Sequence, residues 1–180
     1  CMQSLSGMGK EKRDQDAITK VKRCLDICEK KNGIEDTSYV KCLDMLAKIY
    51  YAFGYYEKAI PCFTNAMEIR RKISGEENID YANSVGNLGL IYGKDIDYEK
   101  SLEYCRHAMK LFEKISGKES RVYSDVINLM GVVYGQSGNY EKALLYLQEA
   151  LAIRAKLYGT QHPSYGSPLQ NIGNVNGFIG

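Results

Sequence analysis

The stretch YSDVINLMGVVYGQSGNYEKALLYLQEALAIRAKLYGTQHPS, residues 123–164, is one copy of a unit that recurs every 42 residues. Tyr39–Asp80 and Tyr81–Val122 precede it without a gap, and Tyr165–Gly180 begins a further copy. The same side-chain types fall in register. Leu46, Leu88, Met130 and Ile172 share one position, followed by the small residues Ala47, Gly89, Gly131 and Gly173, and then by Tyr50, Tyr92 and Tyr134. The second half of each copy repeats Ala59, Ser101 and Ala143, then Phe63, Cys105 and Leu147, then Ala66, Ala108 and Ala150, then Ile69, Leu111 and Ile153. Steps of three, four and seven are the spacing of one helix face, not the alternation of a strand. A period of this length marks an array of supersecondary units, none of which can bury its apolar face alone.

Small residues recur where two helices would cross, because a longer side chain would push the axes beyond the roughly 8–10 Å of ordinary helix packing. Glycines punctuate each copy. Phe53-Gly54-Tyr55 and Ser137-Gly138-Asn139 divide the halves, where glycine is expected to end the first helix in a left-handed cap, while Asp95-Ile96-Asp97 makes a weaker stop. Ser74-Gly75, Ser116-Gly117 and Tyr158-Gly159 close the second half in the same expected way. Each copy therefore predicts a helical hairpin, with a first helix of about 14 residues and a second of about 18.

The pattern resembles the tetratricopeptide repeat: a leucine followed by a small residue, Tyr, Gly-x-Tyr, and a later Ala, large apolar residue and Ala, at that family's spacing over residues 39–180. The 42-residue length, Ala59-Ile60-Pro61-Cys62, Ala66-Met67-Glu68-Ile69-Arg70, and above all Leu157-Tyr158-Gly159-Thr160-Gln161-His162-Pro163-Ser164 look like the repeats of kinesin light chains and their relatives. Asn87, Asn128 and Asn171 fit the same subfamily. Trp is absent, the His-Pro signature occurs once, and the double asparagine is never complete. The fold implied is all-α, a right-handed superhelical α-solenoid of helix-turn-helix hairpins. Its expected organisation is a degenerate or partial repeat at 1–38, repeats at 39–80, 81–122 and 123–164, and at 165–180 the first helix of a further repeat or a cap, all in one continuous domain.

In residues 1–38, Asp14–Lys31 reads as the second helix of an earlier repeat, with Ala17, Val21, Cys24 and Cys28 on one face. Leu5 and Met8 would belong to a weak first helix, since Gly7 and Gly9 each cost about 1 kcal/mol relative to alanine. Both ends look cut, which suggests a longer array. The net charge of +2 arises from 24 basic and 22 acidic residues spread through every copy, so no basic stripe is present to track phosphates, and a nucleic-acid partner is not expected. No apolar run approaches the roughly 18 residues of a membrane span, so membrane insertion is not expected. The expected location is cytoplasmic, and cytoskeletal if the resemblance extends so far. Cys24, Cys28, Cys42, Cys62 and Cys105 fall on predicted helices among apolar neighbours, which reads as free, buried or half-buried thiols rather than a disulfide framework or a metal site.

Catalytic chemistry is not written into the chain. His107 lies in a second helix and His162 in the His-Pro loop, where a structural role in turning the chain is expected. No nucleophile stands beside a base in any recognised motif, no phosphate loop appears, and no cofactor is implied. The expectation is a non-catalytic protein-interaction scaffold.

In tetratricopeptide arrays the first helices line a concave groove. Matching positions implies a peptide-binding face of Lys41, Asp44, Met45 and Lys48; Asn83, Asn87, Leu90 and Lys94; Asp125, Asn128, Val132 and Gln136; and Gln170, Asn171 and Asn174. An asparagine amide donates and accepts at once, so a row of them can hold the backbone of an extended peptide whatever its side chains. The alternative is that Asn87, Asn128 and Asn171 only bond neighbouring helices. A clamp for a C-terminal carboxylate is argued against, because Asp44, Gly86 and Asn128 fill one row and Lys48, Leu90 and Val132 the next. By resemblance the partner is a protein or peptide, with association to a kinesin motor or its cargo implied by likeness alone. A regulatory arm of a larger signalling protein and a structural subunit of a large assembly remain open at this point.

Overall fold

The computed structural model describes residues 2–179, with side-chain surroundings from residue 14 onward. Eight helices are described: α1 (Met2–Asn32), α2 (Thr37–Ala52), α3 (Tyr56–Ser74), α4 (Ile79–Lys94), α5 (Tyr98–Ser116), α6 (Arg121–Gln136), α7 (Tyr140–Tyr158) and α8 (Pro163–Ile179). They fall into two compact units, Cys1–Glu76 and Glu77–Gly180. In the first, α2 packs on α1 and on α3; in the second, α4 packs on α5, α5 on α6, α6 on α7 and α7 on α8. First helices are 16 residues long and second helices 19, slightly longer than the spacing predicts, because each runs on into its cap.

The starts are capped at a fixed repeat position. Asp36 accepts from the Ser38 N–H, Asn78 from Asp80, and Ser120 from Tyr123, each satisfying one backbone donor at a first-helix N-terminus. His162 stands 42 residues after Ser120, and its Nδ1 accepts from the Ser164 N–H at 3.1 Å, with Pro163 opening α8. The His-Pro pair is thus a helix start. Second helices are capped by Asp97 and Asn139, which accept from the N–H groups of Lys100 and Lys142. The Lys100 side chain and N–H hold the Asp97 carboxyl below its ordinary range.

The ends follow two geometries. After α2, the Gly54 N–H donates to the Tyr51 carbonyl and the Tyr55 N–H to the Tyr50 carbonyl, with Gly54 at φ +78°, which makes a Schellman cap. Gly138 repeats it at φ +83°. Ile96 occupies the equivalent place after α4 and adopts φ +66°, with the Asp97 N–H still reaching the Tyr92 carbonyl. The loop geometry is therefore kept without the glycine, at the cost of a β-branched residue in the left-handed region, where L side chains lose roughly 1–2 kcal/mol. Ile96→Gly is expected to raise the stability of the second unit by about 0.5–1 kcal/mol, the strain released less the roughly 0.4–1 kcal/mol that glycine adds to the freedom of the unfolded chain. Thermal denaturation of the two proteins side by side checks this, and an unchanged or lower midpoint removes the strain argument. Gly75, Gly117 and Gly159 differ from the expected left-handed cap: φ is positive, but ψ is 178°, 165° and 164°, a region open essentially to glycine alone.

The core repeats with the sequence. Leu46, Ala47, Ala59, Phe63 and Ala66 are buried in the first unit, and Leu88, Cys105, Ala108, Met130, Ala143, Leu147 and Ala150 at the matching places in the second. Gly89 and Gly131 are required by contact. A Cβ on Gly89 would lie 2.7 Å from Cys105 Sγ, and one on Gly131 would lie 2.6 Å from Leu147 Cγ. Ring pairs also recur, Tyr92 on Tyr104 at 5.4 Å and Tyr134 on Tyr146 at 5.5 Å, each with a lysine over the first ring. Lys72–Glu35, Lys114–Glu77 and Lys156–Glu119 form one ion pair per copy; all are exposed, so each is worth roughly 0–1 kcal/mol.

Two expectations about the N-terminal segment need correcting. The backbone of α1 is continuous from Met2 to Asn32, with no break at the glycines; the side chains of Leu5 and Met8 lie outside the described residues. Its packed face is Asp14, Ile18, Val21 and Leu25, with Cys28 half-buried, whereas Cys24 is exposed and Ala17 only half-buried. Cys24 and Ala17 match Ala66 and Ala59, which are enclosed by a hairpin partner; among the described residues α1 packs chiefly on α2, so this side of the helix stays more open.

Candidate peptide-binding groove

In the second unit, α4 and α6 present their exposed faces to a cavity of about 440 Å³, within the usual range of ligand pockets. Leu90 from α4 and Val126, Leu129 and Val132 from α6 make its apolar wall, with Phe112 from α5 beneath. Asn83, Asn87, Lys94, Asp125, Asn128 and Gln136 supply polar groups around it. Helical periodicity explains the arrangement. Asn83, Asn87, Leu90 and Lys94 are three or four residues apart, as are Asp125, Asn128, Val132 and Gln136, so each set forms one stripe. Lys41, Asp44 and Lys48, with Met45, border a separate depression of about 390 Å³ on α2 in the first unit. Gln170, Asn171 and Asn174 line neither hollow; Gln170 and Asn174 are exposed, and Asn171 is half-buried.

The asparagines are not equivalent. Asn171 Nδ2 donates to Asn128 Oδ1 at 3.2 Å, so these two tie α8 to α6, as the inter-helix alternative held. Asn83 is exposed and Asn87 half-exposed at the cavity, both carrying a donor and an acceptor.

Sequence reasoning missed the contribution of the second helices. Arg70, Phe112 and Arg154 share a repeat position and reach back to the first-helix face. Arg70 binds Asp44 in a two-pronged pair at 3.1 and 2.5 Å. Arg154 is buried; its Nη2 binds Asp125 Oδ1 at 2.7 Å, its Nε binds Ser124 Oγ at 2.9 Å, and its Nη1 binds the Ser164 carbonyl at 2.8 Å. Asp44 and Asp125 are therefore neutralised by arginines from behind. In the middle copy Phe112 replaces the arginine and Gly86 stands where Asp44 does, so an apolar hollow opens where the other copies carry an ion pair. A 42-residue column read down the second helices would have exposed this exchange.

Nothing at the site suggests covalent chemistry. His107 is exposed on α5, with its ring edge-on to Tyr81 at 6.1 Å, and His162 serves the α8 start. Burial pushes the Cys105 thiol up to about 12 and the Tyr123 hydroxyl up to about 12, which leaves both neutral and unreactive. Among the described residues no group of three or more His, Cys, Asp and Glu side chains is placed to hold a metal ion. No described helix is long and apolar enough to cross a membrane.

The sequence matches the family models for the tetratricopeptide repeat over residues 40–80, 80–156 and 124–180. The chain belongs to the tetratricopeptide repeat family. Such repeat arrays act as protein-interaction scaffolds, and their fold is ordinarily non-catalytic. The fold of this TPR chain is shared with solved structures. BtubC (BKLC) from P. vanneervenii superposes with a TM-score of 0.79 at 24% identity, covering 95% of this chain and 68% of that one. A Podosopora anserina protein described as a kinesin light chain with nearly identical TPR-like repeats gives 0.77 at 20% identity, covering 94% and 81%. The apo form of RapI gives 0.68 at 21% identity, covering 94% and 64%. The expectation of an all-α tetratricopeptide solenoid resembling kinesin light chain repeats agrees with these matches. Comparison with curated proteins returns no match.

Proposed function

We propose that this TPR chain binds an extended peptide segment of a partner protein along the α4–α6 face, in the manner of a cargo-binding repeat. The observation that carries the reading is the cavity in the second unit: an apolar wall of Leu90, Leu129 and Val132 bordered by the amides of Asn83, Asn87 and Gln136. A peptide backbone needs donors and acceptors in alternation, which amides supply, and one large apolar side chain of the peptide fits the hollow floored by Phe112. Lys41 and Lys48 on α2, with Asp44 neutralised by Arg70, border the separate depression of the first unit. Repeats at 81–122 and 123–164 would contribute the two first helices of the binding face, α4 and α6, with 39–80 a further repeat and 1–38 a partial repeat ahead of them. The likeness to kinesin light chain repeats is the support for a motor-cargo setting and for a cytoplasmic location.

The test uses peptides selected from a displayed random library against the immobilised chain, then titrated by fluorescence anisotropy. Leu90→Asp combined with Val132→Asp is expected to weaken binding more than tenfold, since the apolar wall is lost. Asn87→Ala removes about one hydrogen bond and is expected to weaken it roughly five-fold. Circular dichroism confirms that the helices persist. Unchanged affinity in both variants with the fold intact refutes the groove.

A further inference from the structure

Cys28 on α1 and Cys42 on α2 face one another across the helix pair, with their Sγ atoms 3.8 Å apart and in hydrogen-bonding contact. Cys28 lies at the repeat position held elsewhere by Arg70, Phe112 and Arg154, so a short side chain replaces a long one where this column meets a first helix. We propose that Cys28 and Cys42 are an oxidation site, at which a small disulfide such as oxidised glutathione converts the two thiols into a bond that ties α1 to α2. This goes beyond the groove reading and does not depend on it.

Geometry supports the pairing. A disulfide has an S–S length of about 2.04 Å, so the sulfurs must approach by roughly 1.8 Å from their present contact. Both residues are half-buried, so a small oxidant can reach them, and both belong to the same compact unit. Of the other described cysteines, Cys105 is fully buried, Cys62 donates to the Lys58 carbonyl in its own helix, and Cys24, exposed on α1 and electrostatically felt by Cys42, is the competing sulfur. Burial, together with the hydrogen bond shared with Cys28, pushes the Cys42 thiol up to about 11, which makes Cys42 a slow nucleophile at neutral pH.

The exchange balances. The Cys28 thiolate attacks one sulfur of oxidised glutathione, forming a mixed disulfide and releasing one glutathione thiolate, which takes a proton from solvent. Cys42, after giving up its proton, attacks Cys28 Sγ and expels the second glutathione as thiolate. Two electrons pass from the protein pair to the glutathione disulfide, which becomes two thiols. The product closes a short loop through Gly33 and the α2 N-cap, which restricts the unfolded chain and fixes α2, the helix that carries Lys41 and Lys48.

The experiment incubates the full chain with oxidised glutathione, blocks residual thiols with iodoacetamide, and maps tryptic peptides without reduction. The expected product joins peptide 24–30 to peptide 42–48 with the loss of two hydrogens. Because Cys24 and Cys28 share the first peptide, Cys24→Ser assigns the sulfur: the crosslink is expected to persist in that variant and to vanish in Cys28→Ser. The bonded protein is expected to melt several degrees higher, reversibly on adding dithiothreitol. A crosslink lost with Cys24→Ser, glutathione retained on single cysteines, or no modification of the pair each overturns the proposal. Mapping on the unmodified sequence decides the matter even if a serine variant folds poorly, since fragment ions of the joined peptides distinguish Cys24 from Cys28.

Discussion

Gly131→Ala is expected to lower the stability of the second unit by about 1–2 kcal/mol, although alanine is the better helix former by about 1 kcal/mol. The new Cβ would sit 2.6 Å from Leu147 Cγ, 2.9 Å from its Cδ2 and 3.1 Å from the Ala143 carbonyl oxygen. Leu147 and Ala143 are fully enclosed, so neither can withdraw. Relief requires α6 and α7 to move apart, and overpacking of this kind costs roughly 1–3 kcal/mol, which outweighs the propensity gain. The same substitution one copy later has the opposite sign. Gly173 shares the repeat position, yet a Cβ there meets nothing within 4 Å, so Gly173→Ala keeps the full propensity gain of up to about 1 kcal/mol. Thermal denaturation of the pair, read with amide exchange along α6 and α7, checks both signs. Equal effects of the two changes would mean that helix propensity, and not the crossing distance, sets the residue at this position.

The second large effect is expected from Arg154→Met, which keeps most of the side-chain volume and deletes the guanidinium. Three bonds disappear, to Ser124, Asp125 and the Ser164 carbonyl. Ser124 is fully buried and keeps only a long 3.4 Å bond to the Ala150 carbonyl. Asp125 is less affected, because its side chain is 46% exposed and Arg121 lies 3.4 Å away. With one partner deeply buried and another wet, the expected loss is about 2–3 kcal/mol, below the roughly 3–5 kcal/mol for breaking a fully buried pair. Because Ser164 lies in the first turn of α8, that helix is expected to lose amide-exchange protection first. The middle copy shows how the position tolerates an apolar residue. Where the last copy has Ser124, Asp125 and Arg154, it has Ala82, Asn83 and Phe112, so hydroxyl, carboxylate and guanidinium are absent together. Adding Ser124→Ala to Arg154→Met is therefore expected to recover part of the loss, and a double-mutant cycle with purely additive terms would show that the hydroxyl and the arginine are not coupled.

The stripe of Asn83, Asn87, Leu90 and Lys94 is legible in the sequence, because a stripe on one helix needs only helical spacing to be recognised. Which asparagine is engaged could not be read. Asn87 and Asn128 share a repeat position, but Asn128 has Asn171 within 3.2 Å, a contact between residues 43 apart that depends on how α8 lies against α6. Phe112 and Arg154 were missed for the same reason, since they lie on the other helix of their hairpins and reach the face only across the crossing. The face of α1 was misjudged by extending a register that full hairpins enforce to a helix packed chiefly on one neighbour.

The 42-residue period, the stripe spacing and the glycine and cap positions are local properties of the chain, so the sequence by itself determined the hairpins, their order and the repeat class. Close approach belongs to the tertiary structure. Only there does Gly131 touch Leu147 while Gly173 touches nothing, does Ile96 take a glycine's conformation to keep its loop, do Cys28 and Cys42 meet, and does Phe112 leave a hollow where arginines elsewhere hold a carboxylate. The Ile96 conformation is set by the loop it closes, and each of the others depends on contact between different helices, which spacing within one helix does not encode.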